Sequence, residues 1–463
     1  MSTLIKNARI ITAGRDYTAD VYINGETIAS IGPNLSVIAD TTIDASGKYV
    51  IPGGIDVHTH LDMPFNNTSS SDDFETGTRA AAFGGTTSVI DFATQSKGMT
   101  LGETLDEWRK KAEGKACIDY GFHMVIIDLT EACLEEMDRM AREGIPTFKV
   151  FMAYPGRLML SDKSIARAMN RTARNGGVMC IHAEDGKAIE PLISQAIARG
   201  ETAPKFHALT RPPQLEAAAV KRSITLAREN GVPVYIVHVS CDESLKLIAD
   251  ARKEGLPVFG ETCPQYLFLS LEDIDKPGLE GAKFVFTPPV RERWNQDKLW
   301  EGLRSNSLQV VSTDHCPFLL KEKMEGARIN FSKIPNGGPG IELRLQLLFD
   351  RGVNEKRISL NRWVELISTA PAKLFGMYPQ KGAIETGSDA DIVIWDPNIE
   401  HVISAATHHM RVDYSMYEGM KVKGGAETVI SRGEIIVEKG EWKGAAGRGK
   451  FIRRSAFAGM WKP

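Results

Sequence analysis

Between residues 53 and 316 the chain alternates eight short apolar runs with amphipathic helical stretches, and this alternation constrains the fold more than any other feature. The strand candidates are 53–60 (GGIDVHTH), 87–94, 120–127, 147–152, 177–184, 232–240, 256–264 and 308–316. Four of the helical stretches end at Gly144, Gly176, Gly231 and Gly255, directly before the next apolar run. A glycine just past a helix accepts the left-handed conformation that closes the last turn. Strand, helix and glycine repeated in that order join parallel strands. Eight of them predict a closed α/β architecture, a (β/α)8 TIM-like barrel.

The two ends read differently. Residues 1–52 form short strands with turn signals, among them Asn24-Gly25, a hairpin signal. The same style returns in GAIETGSDADIVIWDP and ETVISRGEIIVEKGEW. The economical organisation is one small β-sandwich domain made from both ends, residues 1–52 and 379–440. The barrel, residues 53–378, is inserted between them, and its 330–378 portion supplies extra loop and helices. Residues 441–463, basic and aromatic without a core-sized pattern, read as a C-terminal surface arm suited to a subunit contact.

Composition serves to exclude. A net charge of −3 with no basic stripe sets nucleic acid aside. No apolar run approaches the ~18 residues that cross a bilayer, and the N-terminus lacks the pattern of a secretory signal. The six cysteines are scattered with no C-x-x-C, as expected for reduced thiols in a cytoplasm.

The chemistry lies at the strand ends. His58 and His60 stand two apart, and residues i and i+2 of a strand project from one face. His182 ends the fifth candidate strand, His238 the sixth and Asp314 the eighth, while Lys149 lies in the fourth. In a barrel the C-terminal rim brings residues from separate strands to one site. Imidazole and carboxylate suit zinc and its first-row neighbours. A lone strand-end histidine is often a hydrogen-bonded rim residue; four with an aspartate at one rim make a metal site. Lys149 on these grounds alone has no assigned purpose.

Taken together, DVHTHLDMPF, the lysine in TFKVFMAY, CIHAED, VHVS and STDHCP resemble the amidohydrolase superfamily. GTRAAAFGGTTSVIDF, FTPPVR and IPNGGPGIELRL sharpen this to its cyclic-amidase branch, the dihydropyrimidinases and hydantoinases, over nearly the whole chain. The resemblance implies a binuclear centre of two divalent ions, zinc first, with manganese or cobalt as alternatives. Lys149, carboxylated on its side-chain nitrogen, bridges both; His58, His60 and Asp314 hold one ion, His182 and His238 the other. A carbamate offers two anionic oxygens where an ammonium would be repelled. Two such ions at ~3.5–4 Å supply hydroxide near neutral pH and polarise the scissile carbonyl.

In that scheme Asp314 is general base and then general acid, and Tyr154 donates to the developing oxyanion. The segments around Thr287 and Asn336 read the N–H and C=O groups of a cyclic diamide; Thr287 stands where many relatives carry serine. Met63, Phe65, Phe151, Leu158 and Leu160 could wall the ring's exocyclic substituent. His315 reads as a packing or supporting residue turned away from Asp314. His123, His207, His401, His408 and His409 have no assigned role, and the adjacent pair 408–409 reads as exposed.

The implied reaction opens a hydantoin or 5,6-dihydropyrimidine to an N-carbamoyl amino acid, in a homotetramer. Allantoinase and dihydroorotase are the related alternatives. Dihydroorotase-like chains place an arginine two positions after His-x-His, where this chain has Asp62, and the NGGPG run also leans to the dihydropyrimidinase side. A non-catalytic scaffold of this family loses metal ligands, yet all six positions are intact here.

Overall fold

The computed structural model describes residues 2–65 and 68–457. Eight parallel strands form the barrel: β1 Gly54–Thr59, β2 Thr86–Thr94, β3 Asp119–Val125, β4 Thr147–Phe151, β5 Val178–His182, β6 Val234–Ile236, β7 Val258–Thr262 and β8 Val310–Val311. Each hydrogen-bonds to the next in sequence order. They are buried on both faces, which is why they read as unbroken apolar runs rather than alternating ones. The connecting helices bury one stripe each. In helix Asp162–Asn175 the buried residues are Ile165, Ala168, Met169 and Thr172, at helical spacing. Ser161 caps its start, and Gly176, at φ 74°, closes its end as expected.

Closure between β8 and β1 is made largely outside the strands. Thr59 bridges to His315, and His60 N donates to the His315 carbonyl at 2.9 Å. The buried Asp56 carboxylate accepts from Thr313 N (3.2 Å) and Thr313 Oγ1 (2.6 Å). The last strand is far shorter than the apolar run 308–316, and β6 is shorter than 232–240. The physical reason is backbone conformation. His238 (φ 43°) and Asp314 (φ 51°) are left-handed, a region no strand passes through.

Both chain ends build one further sheet of nine strands. Tyr49–Pro52 pairs antiparallel with residues 392–395 and so joins the N-terminal strands to the C-terminal ones. Its core takes Ile5, Ile10, Val21 and Ile23 from one end and Ile392, Ile394 and Ile430 from the other. Neither half could bury its apolar face alone. The expected hairpin is present, its two-residue loop being Gly25–Glu26 with Gly25 at φ 60°.

The small sandwich is tied to the barrel by a buried ion network. Lys381 Nζ lies 2.6 Å from Asp119 on β3, 2.6 Å from Asp391 and 2.9 Å from Asp389. Arg432 reaches the second oxygen of Asp119 at 3.0 Å. Burial opposes the Lys381 charge, but the carboxylates outweigh it and raise its pKa.

The arm from residue 444 is docked rather than free. Ile452 N donates to the Tyr120 carbonyl at 2.7 Å, and Arg454 Nη2 to Thr147 Oγ1 at 2.8 Å, at the N-terminal ends of β3 and β4. Gly144 allows the approach, since a Cβ there would stand 2.7 Å from Arg453 Cα. Arg454 is buried, which pulls its pKa down to about 9. Residues 458–463 of the expected arm lie outside the described residues.

Lys381→Met leaves Asp119, Asp389 and Asp391 facing one another with only Arg432, on Asp119, as a cation. It is expected to cost about 3–5 kcal/mol of stability, read as a lowered denaturant midpoint; an unchanged midpoint would show that the network does not brace the two domains.

Candidate metal centre and active site

The His-x-His turn is set by Asp91. Its carboxylate accepts from Thr59 Oγ1 (2.8 Å), Leu61 N (2.8 Å) and Trp108 Nε1 (3.1 Å), and burial pushes its pKa up to about 7. This clamp holds the backbone on either side of His60. Across the β1–β8 seam, Asp314 Oδ1 stands 3.1 Å from His58 Nε2 and 3.2 Å from His60 Nε2. Lys149 Nζ lies 3.4 Å from His58 Nε2. His238 Nε2 lies 2.9 Å from His182 Nδ1, and the far nitrogen of His182 meets Glu184 at 2.8 Å. The six residues singled out from the sequence therefore converge on one rim. Single ligand atoms of His58, His238 and Asp314 all fall within 4.8 Å of one another.

Two carboxylates orient the imidazoles from behind. Glu184 does so for His182. Glu261, on β7, meets His58 Nδ1 and also accepts from Tyr235 OH (2.8 Å), His238 N (3.2 Å) and Ser312 Oγ. Such partners fix the tautomer and turn the other ring nitrogen toward the cluster. Sequence reasoning passed over Glu261, although it is an acidic residue at a barrel strand's C-terminal end, the criterion that selected Asp314.

The electrostatics prepare a donor set. Burial lowers His60 to about 4, takes His182 down and His238 well below the usual imidazole range, so these rings are neutral near pH 7. For His58, burial and Lys149 oppose the cation, but Glu261 and Asp314 outweigh them and raise its pKa. Burial works against the Asp314 carboxylate as well; His58 and His60 overcome it and hold the group well below the ordinary range. Burial lowers Lys149, whose Nζ sits 4.1 Å from the Phe92 ring centre. Among the described residues, His60 Nδ1 and His238 Nδ1 are buried with no protein partner. Neutral imidazoles with an ionised carboxylate are the forms that coordinate a divalent cation, and the residues present fit one.

The cluster floors a cavity of about 490 Å³. Tyr154, left-handed at φ 64°, leans over it with its ring centre 5.6 Å from that of His182. Asn336 Nδ2 donates to the Tyr154 hydroxyl at 3.5 Å, and burial raises the phenol's pKa. Thr287, Asn336, Met63, Phe65, Phe151 and Leu158 line the same cavity. Leu160 does not; it packs into the outer core. His315 is turned away from the cluster, with Nε2 3.0 Å from Asp72 and Nδ1 accepting from Gly340 N at 3.1 Å. His409 is exposed and paired with Glu342, whereas His408 is half-buried, short of the exposure expected for both. His207 is buried behind Thr287 and carried no signal, since its segment lies far from any strand end.

Among the described residues no helix is long and apolar enough to cross a membrane. All six cysteines are free and buried.

Comparison with known proteins agrees with this geometry. The model of the amidohydrolase family matches residues 49–436. A D-hydantoinase of Streptomyces coelicolor is 52% identical, covering 98% of this chain and 98% of its own. A D-hydantoinase of Geobacillus stearothermophilus is 48% identical over 99% of this chain and 98% of its own. The crystal structure of a dihydropyrimidinase from Brevibacillus agri superposes with a TM-score of 0.98 at 49% identity, covering 99% and 100% of the two chains. The chain belongs to the amidohydrolase family, in the hydantoinase and dihydropyrimidinase branch of that superfamily.

Proposed function

We propose that this enzyme opens the ring of 5-substituted hydantoins and 5,6-dihydropyrimidines by hydrolysis, giving N-carbamoyl amino acids, with the D hand preferred for hydantoins. The observation that carries the reading is the opposition of Asp314, 3.1 and 3.2 Å from two imidazoles, to a wall bearing Tyr154, Thr287 and Asn336 across one cavity. The names of the relatives, D-hydantoinases and a dihydropyrimidinase, support the substrate class and the hand.

His58, His60 and Asp314 would hold one divalent ion and His182 and His238 the other, with zinc the first candidate. Lys149 would serve both as an N-carboxylate: burial favours its uncharged amine, the form that attacks carbon dioxide and then loses a proton. When bound, the ions activate water and polarise the amide carbonyl. Asp314 takes the proton of the attacking water and delivers it to the ring nitrogen as the C–N bond breaks. The Tyr154 hydroxyl donates to the carbonyl oxygen as that oxygen gains charge. The backbone at Thr287 and Asn336 holds the ring's paired N–H and C=O groups. Met63, Phe65, Phe151 and Leu158 enclose the substituent. A cytoplasmic homotetramer completes the proposal, its location supported by the six unpaired thiols.

Asp314→Ala and His182→Ala are each expected to lower kcat by about 10³-fold or more while circular dichroism stays native. Retained turnover in either would remove the site assignment. Tyr154→Phe keeps the ring and loses the donor, so kcat is expected to fall about 10²–10³-fold with metal content unchanged. Dialysis against a chelator is expected to abolish hydrolysis of both hydantoin and dihydrouracil, with zinc, manganese or cobalt restoring it. Native mass spectrometry should find one added carboxyl group in the wild type and none in Lys149→Ala.

A further inference from the structure

Lys323 is a buried lysine with no part in the chemistry above. It sits in the helix Leu320–Ile329, fully shielded from solvent. Its Nζ donates to the Val285 carbonyl at 2.9 Å and to the Pro335 carbonyl at 2.9 Å. These acceptors lie in the two loops that bring Thr287 and Asn336 to the cavity. Gly337 N also donates to Val285 O, at 3.1 Å, so that carbonyl joins the loops twice. Gly337 has φ 145°, and a Cβ there would stand 2.2 Å from the Cys316 carbonyl, so the second loop has no room to shift.

The next carbonyl along is fixed too. His207 Nε2 donates to Phe286 O at 2.9 Å, while its Nδ1 accepts from Arg211 Nη1 at 3.1 Å. Arg211 thereby sets the tautomer that donates. A trans peptide directs its C=O and N–H to opposite sides. Anchoring the Phe286 and Pro335 carbonyls to His207 and Lys323 therefore turns the Thr287 and Asn336 N–H groups the other way. Among the described residues neither N–H has a protein hydrogen-bond partner. Two unspent donors at the cavity wall are what a ring carbonyl requires.

We propose that Lys323, assisted by His207, is a positioning residue for substrate: it locks the two loops so that the Thr287 and Asn336 backbones present their N–H groups to the ring. Keeping an ammonium there is costly. Burial pulls its pKa down to about 7, and among the described residues no carboxylate counters it. The two carbonyls are its ligands, which points to loop register as its purpose rather than charge pairing.

The proposal rests on the reading that these loops bind the ring's carbonyl, and steady-state kinetics on hydantoin and its 2-thioxo analogue separate the two claims. Sulfur is a poor acceptor, so the wild type is expected to bind the thioxo ring more weakly. Lys323→Met fills the same space without donors and is expected to raise KM for hydantoin about tenfold or more, with kcat within about threefold, and to erase the preference for oxygen. Metal content and circular dichroism should match the wild type. His207→Gln, which keeps a donor, is expected to lie closer to wild type than His207→Ala, and the pair carries the test should Lys323→Met fail to fold. If the wild type binds both rings alike, the loops do not read the carbonyl and the proposal falls with that reading. If the wild type discriminates but Lys323→Met keeps its KM, or loses kcat and metal instead, the positioning role alone is overturned.

Discussion

The seam between the first and last barrel strands is the constraint on which the rest depends. A two-residue strand offers few ladder bonds, so closure falls to the Asp56 carboxylate, which ties β1 to Thr313, and to the His60–His315 backbone pair. The same bonds set His58 and His60 against Asp314. Structural closure and assembly of the site are thus one event. A barrel ending in a longer eighth strand would carry Asp314 along the sheet direction and away from both imidazoles. The left-handed turn at Asp314 is strained for a non-glycine residue, and such strain persists where the surroundings over-determine it.

Behind that seam the protein keeps charge in places where water cannot screen it. Burial alone would neutralise every group at the rim. Burial favours the neutral imidazoles that coordinate, Glu261 and Glu184 hold His58 and His182 in place from behind, and the imidazoles around Asp314 keep its carboxylate ionised against burial. At the opposite end of β3, Lys381 and its aspartates use the same physics for a different purpose. There opposite charges meet directly and the cluster is satisfied without any further ion. Asp119, Asp389 and Asp391 lie close enough together to hold a metal, but a protein ammonium already sits among them.

Much of this was legible in the sequence because it is written in local patterns. Apolar runs, helix stripes and the glycines after helices gave eight strands in order. His58, His60, Lys149, His182, His238 and Asp314 were found because each belongs to such a run or its end. Strand lengths were overestimated where His238 and Asp314 leave the sheet, since apolar character continues past the point at which the backbone turns. Glu261 lay within a run but was masked by its neighbours. His207 and Lys323 were invisible for a deeper reason. Each acts on a carbonyl contributed by a distant segment, and a backbone carbonyl has no letter in the sequence. The docking of residues 444–457 was hidden likewise, because Arg454 reads as a surface cation until its acceptors on β3 and β4 are known.

The two-ended sandwich and the docked arm also impose an order on biosynthesis. The strands before residue 52 leave the ribosome ahead of the barrel, yet their partners beginning at Ile392 follow only after the whole barrel has been made. At ~5–20 residues per second the wait is roughly twenty seconds to a minute. Throughout it the faces bearing Ile5, Ile10 and Val21 lack the strands that cover them. Arg454 comes later still, so the lower mouth of the barrel is sealed only after the strands around it have been made. Such a chain leaves apolar surface uncovered for as long as the barrel takes to be made, and that interval is when it most needs chaperones.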